Sequence, residues 1–148
     1  MPCLGLGAVA AAGAHKKNIL TAQKEMDGYF LIAILHVAVI VPFLLWVGFN
    51  RAATPEWLYS VLFGAGIFVL VYHSYKAIAR LLAASPVVWI NLIHVLLVAP
   101  LLLWIGYHAK RTERPAYDML LLIAFAAFGF HLYKLVVLSQ TFIRSTEL

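Results

Sequence analysis

Charge is what this sequence has least of: Asp, Glu, Lys and Arg make up 11% of its 148 residues, while 64% are apolar and the mean hydropathy is +0.93. A soluble domain carries roughly a quarter charged residues. The deficit excludes a disordered tail and an ordinary water-soluble domain, which at this size would have too little polar material to cover its surface. The bilayer is the simpler solvent. Cysteine is almost missing as well: Cys3 stands alone, so there is no internal disulfide and no thiolate cage, and the redox compartment stays open. Palmitoylation of Cys3 is left open, although no lipidation rule marks it.

Carboxylates are absent from the interior of every long apolar run. Glu25, Asp27, Glu56, Glu113, Asp118 and Glu147 all lie outside those runs or at their ends, which disfavours acid–base hydrolysis by a buried pair. No glycine-rich phosphate loop, HExxH or paired CxxC is present, so enzyme activity is not the expectation. The formal charge of +5 does not point to nucleic acid, because the basic residues sit between apolar stretches and form no continuous stripe. They flank membrane spans instead.

Four such spans are legible. Gly28 to Phe49 gives 22 residues without formal charge, and as a helix this reaches about 33 Å, enough to cross the hydrocarbon core. Trp57 to Tyr75 gives a second span and Pro86 to Tyr107 a third; the fourth runs from near Met119 to about Leu138 and carries His131 and Lys134 towards its far end. Pro86 suits a first helical turn. Pro42 and Pro100 fall mid-span, where a local kink with a freed carbonyl is expected. The connections 50–56, 76–85 and 108–118 are short, which implies antiparallel neighbours and both termini on one side.

Orientation follows from the cations. Lys16, Lys17, Lys24, Lys76, Arg80, Lys134 and Arg144 would share the terminal side, against Arg51, Lys110, Arg111 and Arg114 opposite; seven against four favours termini in the cytoplasm or its equivalent. Trp46, Trp57, Trp104, Tyr107 and Tyr117 read as aromatic anchors at the other interface. The stretch before the first span is too short to cross, and its Ala12-Gly13-Ala14 resembles a processing site without the charged lead of a signal peptide; a disordered or surface-lying tail is expected.

The sequence also repeats. At an offset of 58, LHVAVIVPFLLWVGF from Leu35 faces IHVLLVAPLLLWIGY from Ile93, matching His36 to His94, Pro42 to Pro100, Trp46 to Trp104 and Gly48 to Gly106. Further on, YHSYK from Tyr72 faces FHLYK from Phe130 in the same register. Each repeat holds two spans, so both enter the membrane in the same direction, related by a pseudo-two-fold axis along the membrane normal. The expected fold is an all-α integral membrane protein of four transmembrane helices, built from two repeated helical hairpins. Its parts are a tail over 1–27, repeats over 28–80 and 86–138, and a C-terminal tail over 139–148.

Depth turns the repeat into chemistry. His36 comes eight residues, about 12 Å, into the first span, His73 about 9 Å before the second returns, and His94 and His131 repeat those positions. Four imidazoles in one layer are therefore expected. Three readings compete. In the first, His36, His73, His94 and His131 form a path for protons or small ions with a pH-sensitive response, and Lys76 and Lys134, three positions beyond their histidines, make a positive mouth. This reading requires no cofactor, and Asn91, whose counterpart is Ala33, adds an amide to the same layer.

In the second, the histidines ligate heme or another tetrapyrrole for electron transfer or pigment organisation, with Gly66 and Ala124, seven residues earlier on the same faces, leaving a slot. Both small residues also suit close helix packing. In the third, the histidines clamp a structural membrane-interaction protein by bonding to carbonyls or tyrosines. The implied partners are the lipid bilayer and either further copies, as a homo-oligomer, or a membrane complex, because one small four-helix unit encloses little space.

Overall fold

The computed structural model describes residues 27–146, with side chains described over 27–140. The tail ahead of residue 27, with Cys3 and His15, and the end of the C-terminal tail lie outside the described residues. Four helices are long and apolar enough to cross a membrane: α1 (Asp27–Ala53), α2 (Glu56–Leu82), α3 (Val88–Arg111) and α4 (Arg114–Thr146, apolar over Arg114–Gln140). Among the described residues there is no strand. An all-helical chain satisfies its backbone polar groups within each span, as hydrocarbon demands.

The helices reach further than apolar runs alone suggest. α2 continues through Lys76 and Arg80 to Leu82, because Ala77-Ile78-Ala79-Arg80-Leu81-Leu82 is rich in good helix formers. α4 starts at Arg114 with Pro115 in its first turn, where a missing N–H costs nothing. Pro86 instead belongs to the turn before α3, which begins at Val88. The connections shrink accordingly to two-residue and five-residue links.

The described residues form two compact units: 27–40 with 128–146, and Val41–Ala127. In the second unit the core is apolar and closed, with Val47, Leu62 and Ile105 at 0% exposure and Leu120 at 1%. Opposed residues fix the directions. Gly66 meets Leu103 and Gly106 meets Phe63, so α2 and α3 run antiparallel; Gly48 meets Leu121 and Arg51 pairs with Asp118, so α1 and α4 do the same here. At Gly106 the approach needs glycine, because a Cβ would lie 2.6 Å from the Phe63 backbone nitrogen.

The α1–α2 and α3–α4 links are built alike. Each follows a 3₁₀ turn that ends the helix, Arg51–Ala53 or Ala109–Arg111, whose first residue has φ of 49°. A sparsely populated backbone conformation of this kind at a residue with a Cβ costs about 1–3 kcal/mol. A buried threonine follows each turn: the Thr54 amide donates to the Arg51 carbonyl at 3.0 Å, and the Thr112 amide to the Ala109 carbonyl at 3.1 Å. Elsewhere, Leu31, Phe68, Leu96 and Leu122 present apolar side chains outwards, as a lipid-facing surface requires.

Candidate functional site

The mid-span prolines act through the backbone around the histidines. In α1 the turn His36–Ile40 widens to the π form, and in α3 the turn His94–Val98 does so, each shortly before its proline. In α3 the Ala99 amide reaches the His94 carbonyl, five residues back, immediately ahead of Pro100. The expected local disturbance thus takes the form of a wide turn. It accommodates a ring that would press on the carbonyl four residues earlier in a regular α-helix and that supplies no N–H.

A histidine begins each wide turn, and its ring folds back on its own helix. His36 Nδ1 donates to the Ile32 carbonyl at 2.8 Å, and His94 Nδ1 donates to the Ile90 carbonyl at 2.7 Å. A carbonyl only accepts, so the neutral ring carries its proton on Nδ1 and its lone pair on Nε2. His73 Nδ1 lies 3.1 Å from Asn91 Oδ1, with the ring N–H donating to the amide oxygen.

The four histidines come together in two pairs. His36 stacks on His131 within the first unit, ring centroids 4.1 Å apart and planes at 21°; His73 stacks on His94 within the second, at 4.0 Å and 9°. All four are half-buried. Lone pairs lie in the ring planes, so two nearly parallel rings at this spacing cannot both direct Nε2 at one metal between them. Among the described residues no group of three or more His, Cys, Asp or Glu side chains is arranged to hold a metal ion.

The accompanying residues divide. Lys134 is exposed, with Nζ 5.8 Å from the centroid of the Phe130 ring, so its head rests on an aromatic face; Lys76 is half-buried. Gly66 is buried against α3, where a Cβ would lie 2.9 Å from Leu103 Cγ and 3.0 Å from its backbone nitrogen. Close packing therefore takes the place that a tetrapyrrole slot would need at Gly66. Ala124 is fully buried. Asn91 is 3% exposed, its Oδ1 used by His73 and its Nδ2 enclosed without a partner among the described residues. An orphan buried amide donor costs about 1–3 kcal/mol.

A tyrosine pair escaped the sequence reading. Tyr59 donates to the Arg51 carbonyl at 2.7 Å, Tyr117 donates to the Ala109 carbonyl at 3.1 Å, and the two hydroxyl oxygens lie 2.9 Å apart. Two protons serve three contacts. Tyr117, expected as an interfacial anchor, is 1% exposed because its hydroxyl secures the strained turn that starts at Ala109. The signal was present in the sequence, since Tyr59 and Tyr117 stand at the repeat interval of 58.

No family model, curated protein or solved structure matches this chain. The chain offers paired imidazoles in apolar helices, two of them with Nδ1–H committed to backbone and one beside a buried amide. A neutral imidazole of this tautomer carries its basic lone pair on Nε2.

Proposed function

We propose that this chain moves protons or small ions across a membrane, using its histidines as loading sites. The observation that supports this is the pair of imidazole stacks, His36 with His131 and His73 with His94, inside spans whose carboxylates are confined to the ends. Because His36 and His94 hold Nδ1–H on a carbonyl, each loads and unloads through one nitrogen rather than passing a proton from one to the other. Protonation changes the charge of the stack, which makes the response pH-sensitive.

The wider arrangement belongs to the same proposal. The two sequence repeats are related by a pseudo-two-fold axis along the membrane normal, Lys76 and Lys134 each supply positive charge three positions beyond a histidine of their own helix, and the termini lie on the cytoplasmic or equivalent side. Val47, Leu62, Ile105 and Leu120 fill the interior of the Val41–Ala127 unit. The path therefore follows surfaces where copies meet in a homo-oligomer or membrane complex, or opens by rearrangement of that core.

Tetrapyrrole binding is a second reading, favoured by one feature: an imidazole whose Nδ1–H is held by a carbonyl presents Nε2 as metal ligands do. It requires the stacked rings to part and Leu103 to leave Gly66. A visible absorption spectrum of the purified protein separates the two, since a Soret-type band lost in His36→Ala or His94→Ala supports the pigment.

The primary test is proton flux in proteoliposomes containing a pH-sensitive dye. Wild-type protein should raise flux above empty vesicles, and His36→Ala and His94→Ala should lower it. Flux equal to that of empty vesicles at every imposed gradient overturns the proposal. Flux that survives in assembled histidine variants while assembly weakens assigns the rings a structural role.

A further inference from the structure

Pro100, Leu103, Trp104, Tyr107 and His108 recur at the three- and four-residue spacing that puts them on one face of α3. With Phe63 of α2 they line a cleft of about 520 Å³ within the Val41–Ala127 unit. That volume lies inside the range of small-ligand sites. Trp104 and Tyr107 are exposed, so the cleft opens outwards rather than into the core.

The cleft is polar at one end. It runs from Pro100, just after the wide mid-span turn, to His108, the last residue of the regular helix, eight residues or about 12 Å further along. Lys110 and Arg111 follow at once, so His108 stands where the span meets its charged link. His108 Nδ1 donates to the Trp104 carbonyl at 3.0 Å, and the two rings pack with centroids 4.0 Å apart. Nε2 is therefore the ring nitrogen left for a ligand. A hydroxyl suits it in either charge state, donating to the neutral ring and accepting from the imidazolium.

Charge at this end argues against an anionic head. Arg51, Lys110, Arg111 and Arg114 are set against Glu56, Glu113 and Asp118, which leaves little net charge to hold a phosphate. An apolar body with one small neutral head fits better. A rigid body fits best, because an acyl chain gives up rotamer freedom on entering a fixed cleft and a fused ring system has little to lose. Leu103, Tyr107 and Lys110 also stand in the aliphatic, tyrosine, cation order proposed for sterol contact; that order has low specificity by itself, but two of its members line this cleft.

We infer that the cleft binds one sterol-class lipid, its ring system along Leu103, Trp104 and Tyr107 and its hydroxyl on His108 Nε2. The inference requires the spans to lie in a membrane and is independent of proton movement. The matching face of α1 offers an internal control. Asn50 Nδ2 donates to the Trp46 carbonyl at 2.8 Å, as His108 does to Trp104, but Phe49 stands in place of Tyr107 and Ala52 in place of Lys110.

The test uses the full chain in phosphatidylcholine nanodiscs, with a photoreactive cholesterol analogue as probe and peptide mapping of the adduct. Labelling should saturate, fall when unlabelled cholesterol is added, and map to Ala99–His108 rather than Val41–Asn50. The epimer of cholesterol with its hydroxyl on the other face should compete less well. His108→Phe keeps an aromatic ring and removes the nitrogen; it should weaken cholesterol competition about three- to tenfold, the worth of one hydrogen bond. Trp104→Ala removes an exposed wall outside the core and should abolish saturation.

Labelling that never saturates overturns the inference, and so do adducts shared evenly between the two segments. Equal competition by a phosphatidylcholine analogue assigns the cleft to acyl chains, and loss of labelling when two chains share a disc assigns it to a second copy; each result also overturns the inference. If Trp104→Ala does not fold, His108→Phe and the epimer still decide. Saturable labelling without proton flux removes the proton reading and leaves this one, whereas flux without saturable labelling removes the sterol alone.

Discussion

Set against each other at their interval of 58, residues 28–80 and 86–138 use some matched side chains identically and others differently. His36 and His94 both start a wide turn, and both donate Nδ1–H to the carbonyl four residues back. Arg51 and Ala109 both take positive φ, and each has its carbonyl held by the tyrosine eight residues on. Ala33 and Asn91 part company, one a buried methyl and the other a buried amide on His73. The backbone devices occur in both halves because they follow from proline, tight turns and helix geometry. The buried amide on a histidine occurs in one.

Substitutions test this difference between the halves. The largest effect is expected on transport: His94→Ala should lower proton flux on the order of 10²-fold, the scale of losing a proton-transfer group. His36→Ala, from the stack without an amide, should lower flux less. Equal losses in the proteoliposome assay would mean that Asn91 does not distinguish the halves.

Next comes a glycine contrast, read by thermal unfolding in detergent. Gly106→Ala should destabilise by about 1–3 kcal/mol, the range for overpacking, because its Cβ would press on the Phe63 backbone. Gly48→Ala should cost less, since its obstacle is the end of the Leu121 side chain, which can rotate. Gly64→Ala, with open space around it, should be neutral or gain up to about 1 kcal/mol.

Smaller effects are expected at the tyrosines. Tyr59→Phe and Tyr117→Phe should each cost about 1 kcal/mol or less, and similarly. The double variant should cost more than the sum, because the first removal also relieves an oxygen–oxygen contact that lacks a proton of its own. An additive double-mutant cycle would show that the shared contact carries no energy.

Least of all should come from Arg51→Ala, which makes this position match Ala109. The Arg51–Asp118 pair is exposed, so the loss should stay below about 1 kcal/mol and shrink as salt rises. A larger, salt-independent loss would show that Arg51 supports its turn in a way that Ala109 does not.

Much of the fold was legible in the residues. Long uncharged runs define the spans, because hydrocarbon admits little else, and Pro42 and Pro100 mark where the helices cannot stay regular. Asn91 was visible as an unduplicated amide near His94. The burial of Tyr117 was not visible, since an amphipathic ring suits both an interface and a satisfied core, and its hydroxyl partners lie eight and 58 residues away. Gly66 was likewise ambiguous: the sequence shows a missing side chain, and only the opposing helix shows that Leu103 takes the space.

Residue order alone makes four segments apolar and long enough to span a membrane as helices, and it sets the interval at which histidine, proline and glycine recur. These are properties of single segments, set by transfer of side chains from water and by local backbone chemistry. Tertiary structure decided the partners: His36 with His131, His73 with His94 and Asn91, Tyr59 with Tyr117. Helical periodicity gives a side chain its face and depth, but the residue it meets depends on how two helices pack, and that is fixed by contacts distributed along both.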